Sequence, residues 1–199
     1  MRGPDYKEPA AVWTTPPAPA SVKLPPAPPL PKEKGPDAAF VSTPLDVVEK
    51  MLDAAQVTKE DVVVDLGSGD GRILIAASRR YGCKSVGYEI NPQLVTLSRS
   101  KVQDLGLGKL VTIEAMDLFS VDLSGASVVT LYLGAPNNAK LLPQLVRLKP
   151  GARIVSHQHL LGDAGPKPDQ VLRITSQEDQ EEHVIYVWTT PLKMAPADK

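Results

Sequence analysis

Cysteine and histidine are scarce in this chain, and each shortage narrows what it can be. One cysteine, Cys83, in 199 residues excludes an intramolecular disulfide framework and a cysteine-built zinc cluster. The three histidines stand at 157, 159 and 183, with no carboxylate at ligand spacing beside them, so no resident metal is expected. Neither sign of charge is in excess: 22 basic residues against 23 acidic leave a net −1, a poor footing for a generic polyanion binder. No apolar run approaches the ~20 residues of a membrane-spanning helix. The first residues lack the charged-then-apolar pattern of a secretory signal, so the chain reads as cytoplasmic.

What is present divides the chain in two. Of 20 prolines, 12 fall within residues 1–44. Pro16-Pro17-Ala18-Pro19 and Pro25-Pro26-Ala27-Pro28-Pro29-Leu30-Pro31 cannot carry a helix or a sheet ladder, because proline lacks the donor. Residues 1–39 are expected to be a disordered or semi-rigid polyproline tail. Its Pro28-Pro29-Leu30-Pro31-Lys32 has the PxxP spacing that a partner groove can read. Gly3 to Pro9 resembles the mature start of some bacterial outer-membrane efflux lipoproteins, which would imply an export signal already removed. Residues 40–199 hold enough apolar residues for a single domain.

Within that domain the periodicity predicts alternating elements. Thr43-Pro44 reads as a cap followed by a first-turn proline, opening a helix to about Gln56. Val62–Leu66 reads as a buried strand, Arg72–Arg80 as a helix and Ser85–Ile90 as a second strand. Asn91-Pro92 repeats the cap-plus-proline start, with a helix to about Leu105. Val111–Ala115, Val128–Leu133 and Ile154–Ser156 read as strands three to five. A helix is expected over about Ala139–Leu148, with Pro143 in its first turn. The stretch 160–170, with two glycines and two prolines, leaves no room for another helix. Val171–Thr175 and Val184–Trp188 are joined by a polar link too short for a parallel crossover, so they read as an antiparallel hairpin. The fold class is α/β, a mostly parallel Rossmann-like sheet with a C-terminal antiparallel hairpin.

Asp65-Leu66-Gly67-Ser68-Gly69-Asp70-Gly71 sits where the first strand meets the next helix. Ligands of open α/β sheets bind at such strand ends. The dinucleotide fingerprint requires a third glycine at position 72, which is arginine, and no Gly-Lys-Ser/Thr follows for a phosphate loop. The motif instead resembles that of the class I S-adenosylmethionine-dependent methyltransferases. That resemblance also rests on Glu89 ending the second strand, on Asp117 after the third, and on the closing hairpin, and it implies the strand order 3-2-1-4-5-7-6. Asp65 to Arg72, Gly87-Tyr88-Glu89-Ile90-Asn91-Pro92, Asp117-Leu118-Phe119 and the leading Phe40-Val41-Ser42-Thr43-Pro44 together resemble the FAM173-type protein-lysine methyltransferases and their bacterial relatives.

The resemblance implies S-adenosylmethionine as cofactor and a protein lysine as substrate. It implies that Gly67, Ser68 and Gly69 approach the cofactor's amino acid part and ribose. Asp65 would accept from its ammonium, Glu89 from the ribose hydroxyls beside Asn91, and Asp117 from the adenine amine, with Leu118 and Phe119 in apolar contact. Thr43 would place a hydroxyl near the methionyl carboxylate. Tyr132, after the fourth strand, is the candidate catalytic residue. His157 and His159 fall on one face by alternation and read as surface loop residues, with a place lining the acceptor pocket as the other reading. Cys83 reads as structural. A small-molecule methyltransferase with the same cofactor site, and a non-catalytic module that binds the cofactor, are the other readings. Nucleic acid is disfavoured, because residues 44–199 carry 17 basic against 19 acidic side chains.

Overall fold

The computed structural model describes residues 41–193. The proline-rich tail, Phe40 and the domain's expected start lie outside the described residues. Twelve short elements follow the chain: α1 (Leu45–Ala54), β1 (Val62–Leu66), α2 (Arg72–Tyr81), β2 (Lys84–Glu89), α3 (Pro92–Asp104), β3 (Val111–Ala115), a 3₁₀ turn (Leu118–Ser120), β4 (Val128–Leu131), α4 (Ala135–Leu145), β5 (Arg153–His157), β6 (Gln170–Thr175) and β7 (Glu182–Thr189). The strands form one sheet in the order β3-β2-β1-β4-β5-β7-β6. The first five are parallel, and β7 runs antiparallel to both β5 and β6. The expected sheet and its closing hairpin are therefore present, and no helix separates β5 from β6.

The β-branched runs explain why these segments pair. Val63, Val128 and Val155 point to one face, where they pack with Val48 and Met51 of α1, Leu74 of α2 and Val95 of α3. Val64, Val129 and Ile154 point to the other, against Leu141 and Leu145 of α4 and Trp188 of β7. Both faces are thus apolar, as parallel strands covered on each side require. Cys83 lies wholly buried in the first of these cores, at the amino end of β2, and burial pushes its thiol pKa up. It is structural.

Three boundaries differ from expectation. α1 begins at Leu45 with Pro44 at the cap position, and no side chain of its own caps it. Thr43 is engaged elsewhere, and Glu178 from the β6–β7 turn accepts from Leu45 N–H at 2.9 Å, so a tertiary acceptor has replaced the local one. β4 stops at Leu131. α4 starts four residues before the expected position, with Pro136 in its first turn and Pro143 near its end. The carbonyl that loses its partner to Pro143 belongs to Ala139, an exposed residue, where water can serve it.

One glycine sets how closely the second strand approaches the loop after the first. A Cβ on Gly87 would stand 2.4 Å from Leu74 Cδ1 and 2.6 Å from Ser68 Oγ. Gly87→Ala is therefore expected to overpack this junction and lower stability by about 1–3 kcal/mol. Urea denaturation checks it, and an unchanged midpoint would show that the neighbours yield freely.

Candidate functional site

The carboxyl ends of β1 to β4 share one rim, because their registers place Leu66 beside Tyr88 and Leu131, and Glu89 beside Ala115. β1 and β4 are adjacent although β2 and β3 intervene in sequence. This is the switch point at which such sheets open a crevice.

The loop after β1 turns through three glycines with positive φ, at 67, 69 and 71. At Gly67 (φ 78°) a Cβ would also stand 2.6 Å from Leu133 Cδ2, so glycine is required both for conformation and for close approach. Gly67 and Ser68 donate their N–H groups to Tyr88 O at 2.9 and 3.0 Å, and this fixes the loop against β2. Gly69 N–H donates to Glu89 Oε2 at 2.8 Å, and Asn91 N–H donates to Oε1 at 2.8 Å. The Glu89 carboxylate thus ties the glycine loop to the start of α3. The Asn91 side chain caps α3 by accepting from Gln93 N–H at 2.9 Å.

Asp65 lies within β1, and Thr130 Oγ1 donates to its Oδ1 at 2.7 Å. Burial raises the Asp65 pKa to about 7, and the charges of Glu89 and Asp70 push the same way against the Thr130 bond. Asp70 behaves oppositely. Burial pushes it up, but bonds from Arg72 and Lys101 outweigh that and hold it at about 2. Those two cations are occupied with Asp70, at 3.0 and 2.8 Å. Among the described residues, no lysine or arginine forms an ion pair with Asp65 or Glu89. A buried carboxylate without a cationic partner suits a positively charged ligand.

Beyond β3, Asp117 Oδ1 accepts from Phe119 N–H at 3.0 Å and shapes the turn carrying Leu118 and Phe119. All three residues are half-buried. Phe119 is held by Gln144, which donates to its carbonyl, and Lys140 Nζ lies 5.6 Å from its ring centre. The 3₁₀ turn therefore presents a carboxylate and two apolar side chains along the rim beside Glu89.

At the β4–β5 end the structure corrects one expectation and adds a residue. His157 is the last residue of β5 and is fully buried, not a surface loop residue. Burial, followed by neighbouring His183 and His159, lowers its pKa to about 4. The Tyr132 ring lies 4.1 Å from that of His157 and 6.2 Å from that of His159, centre to centre. His157 bonds to Thr43 Oγ1 at 3.1 Å through Nδ1 and to His183 Nδ1 at 2.8 Å through Nε2. Arg72 Nη1 donates to the Thr43 carbonyl at 2.8 Å, which joins this cluster to the glycine loop. Burial, together with the charges of Asp179 and Glu181, raises the Tyr132 pKa. Its phenol therefore stays protonated at neutral pH, a donor and a ring face but not a base. Sequence reasoning missed His183. The signal was available in the hairpin: β5 and β7 pair His157 with Ile185, which puts His183, two residues away, on the same face.

Similarity to known proteins decides which ligand this rim serves. Residues 65–168 match the family model of the ANTKMT methyltransferase domain. A protein-lysine N-methyltransferase of Saccharolobus islandicus is 36% identical over 155 residues, which cover 77% of this chain and 94% of that protein.

The chain belongs to the ANTKMT methyltransferase family.

An adenine nucleotide translocase lysine N-methyltransferase of Mus musculus is 41% identical over 96 residues, which cover 47% of this chain and 42% of that protein. The match thus spans less than half the length of that animal relative. Among solved structures, an RNA methyltransferase from Salinibacter ruber in complex with S-adenosyl-L-homocysteine is 43% identical. It covers 79% of this chain and 98% of that one, with a TM-score of 0.70. As a member of this family, the chain is an S-adenosylmethionine-dependent methyltransferase. The residues present fit that cofactor: carboxylates with no cationic partner among the described residues, for a ligand with an ammonium, a sulfonium and a ribose diol, and a glycine loop whose backbone can be closely approached. Among the described residues, no group of three or more His, Cys, Asp or Glu could hold a metal ion, and no helix is long and apolar enough to cross a membrane.

Proposed function

We propose that this enzyme N-methylates the side chain of a lysine in a protein. The observation that carries the reading is the match to a protein-lysine N-methyltransferase, that of Saccharolobus islandicus, over nearly that protein's whole length. The Asp179 and Glu181 carboxylates add a negative field at the acceptor end of the rim: burial is the largest cause of the raised Tyr132 pKa, and these two charges push the same way. Such a field attracts an ammonium and repels a phosphate chain. Among the described residues no helix stands between β5 and β6, and an acceptor side without that helix suits a side chain presented by another protein.

In this reading Gly67, Ser68 and Gly69 lie along the cofactor's amino acid part and ribose. Asp65 faces its ammonium, Glu89 with neighbouring Asn91 faces the ribose hydroxyls, and Asp117, Leu118 and Phe119 border the adenine. Thr43 sits at the methionyl end and Tyr132 at the acceptor. When bound, the cofactor supplies an electrophilic methyl group on its sulfonium. The protein's own contribution is alignment, worth up to ~7–11 kcal/mol in well-oriented reactions, and a polarised face. The Tyr132 ring can meet a cation through its π-face. Its protonated phenol cannot take the proton that an amine must lose before attack. The proline-rich tail is proposed to act separately, as a docking segment for a partner.

Mass spectrometry of a native lysate incubated with enzyme and heavy-methyl cofactor tests the proposal. Labelled lysine in protein digests is the expected result. The Salinibacter ruber neighbour's name points to RNA instead, and label confined to nucleosides, or to small metabolites, would overturn the lysine reading.

A further inference from the structure

Four side chains form a continuous hydrogen-bonded line from the protein surface to the rim. The Asp179 carboxylate, in the β6–β7 turn, lies 3.1–3.2 Å from His183 Nε2. His183 Nδ1 meets His157 Nε2 at 2.8 Å, and His157 Nδ1 meets Thr43 Oγ1 at 3.1 Å. Thr43, His157 and His183 are all at least nine-tenths buried, whereas Asp179 reaches solvent.

The polarity of this line follows from its outer end. Asp179 Oδ1 also accepts from Glu181 N–H at 3.0 Å, and that bond, the largest cause, holds the Asp179 pKa below the usual range. A charged carboxylate only accepts. His183 must therefore carry its proton on Nε2, and neutral His183 has a bare Nδ1. His157 must then donate from Nε2, so its own Nδ1 is bare. The only proton left for the last contact is the hydroxyl proton of Thr43. Each link follows from the one before, as when an aspartate fixes a histidine tautomer in a catalytic triad.

We propose that Asp179 and His183 are positioning residues that turn the Thr43 hydroxyl proton inward. The Thr43 oxygen then faces the rim as an acceptor reserved for an ammonium N–H. An alcohol has one proton and two lone pairs, so with the proton committed to His157, whatever meets Thr43 from the ligand side has to donate. This revises the expectation that Thr43 supplies a hydrogen bond to the methionyl carboxylate, which itself needs donors. The ammonium can be the cofactor's α-ammonium or the amine to be methylated. The inference rests on the proposed amine acceptor only for the second of these.

Asp179→Asn tests the direction of the line. The amide oxygen can keep the Glu181 N–H bond at the Oδ1 position, which lies 3.2 Å from His183 Nε2, while the NH₂ group takes the Oδ2 position, 3.1 Å from the same nitrogen. Donation from that NH₂ group favours a bare Nε2, with the His183 proton on Nδ1, and reverses every link. Long-range ¹⁵N–¹H NMR at alkaline pH is expected to show both His157 and His183 protonated on Nε2 in the wild type, and on Nδ1 in Asp179→Asn. Calorimetry and steady-state kinetics are expected to show a loss of about tenfold, one charge-assisted hydrogen bond. Weaker cofactor binding with kcat preserved assigns the α-ammonium as the source. Unchanged cofactor binding with a loss in kcat/KM assigns the acceptor amine. Thr43→Val removes the oxygen at nearly constant volume and should reproduce the loss while leaving His183 protonated on Nε2.

The proposal is overturned if wild-type His157 carries its proton on Nδ1. It is equally overturned if the tautomers reverse in Asp179→Asn while both affinity and kinetics hold. Neither result depends on whether lysine is the substrate. A wild-type enzyme that labels no amine would remove the lysine reading and leave the tautomers and cofactor affinity still to be read.

Discussion

Glu89→Ala is expected to lose at least about 100-fold in affinity for S-adenosylmethionine, measured by calorimetry, in a protein that still folds. The wild-type carboxylate has two roles. It ties Gly69 to Asn91 through two 2.8 Å bonds, and in the proposed site it accepts from the ribose diol. Hydrogen bonds to a charged group are worth about 1.5–3 kcal/mol each, so losing two toward a ligand corresponds to 100-fold or more. Removal also leaves the N–H groups of Gly69 and Asn91 without their acceptor. Because Glu89 stands at the carboxyl end of β2, where the crevice opens, the cost of leaving these groups unpaired should stay at about 1–3 kcal/mol. Affinity and thermal midpoint therefore separate the roles. A lower midpoint with unchanged affinity would mean that Glu89 only staples the loop, and the ribose assignment would be wrong.

The residues that set the backbone were readable in the sequence, whereas those that couple distant segments were not. β1, β3 and β5 announce themselves as β-branched runs between turn residues, β2 as a short alternating stretch before Asn91-Pro92, and the structure moves their ends by no more than a residue or so. The α4 start was hidden because Pro136 and Pro143 offer equally good first-turn positions. Local pattern cannot choose between them, and the buried contacts of Asn138 with Ser156, His159 and Leu160 come only with the tertiary fold. Thr43 shows the same limit from the other side. Its position before Pro44 makes it a plausible cap, yet His157, 114 residues away, engages its hydroxyl. In the site, the glycine loop and the three acids at successive strand ends follow from spacing along the chain. The His157–His183–Asp179 line depends on the register of an antiparallel pair, and the sequence predicted that pair without its register.

Asp65→Asn is expected to separate folding from function in opposite directions. In the unfolded chain an aspartate loses its proton near pH 4, whereas in the folded protein burial raises the pKa of Asp65 to about 7. Below pH 4 both states are protonated and the residue contributes nothing to pH dependence. Between pH 4 and 7 the folded state holds a proton that the unfolded state has released, so stability falls as pH rises. Above 7 the full penalty applies, at most about 4 kcal/mol for a shift of some three units. Asparagine can still accept the Thr130 hydroxyl bond but never ionises. The variant should therefore be about 2–4 kcal/mol more stable than wild type at pH 8, with little or no such gain at pH 4. Cofactor binding should move the other way. Wild-type affinity should rise with pH and level off above about 7, as the carboxylate becomes available to the cofactor's ammonium, and the variant should lose both the affinity and its pH dependence. Denaturation at the two pH values and calorimetry across the range read both effects. A variant equally stabilised at pH 4 and pH 8 would show that the buried carboxyl carries no charge penalty. The site would then be storing no electrostatic demand for a cation, and the unpartnered carboxylate would no longer explain why this rim prefers a sulfonium cofactor.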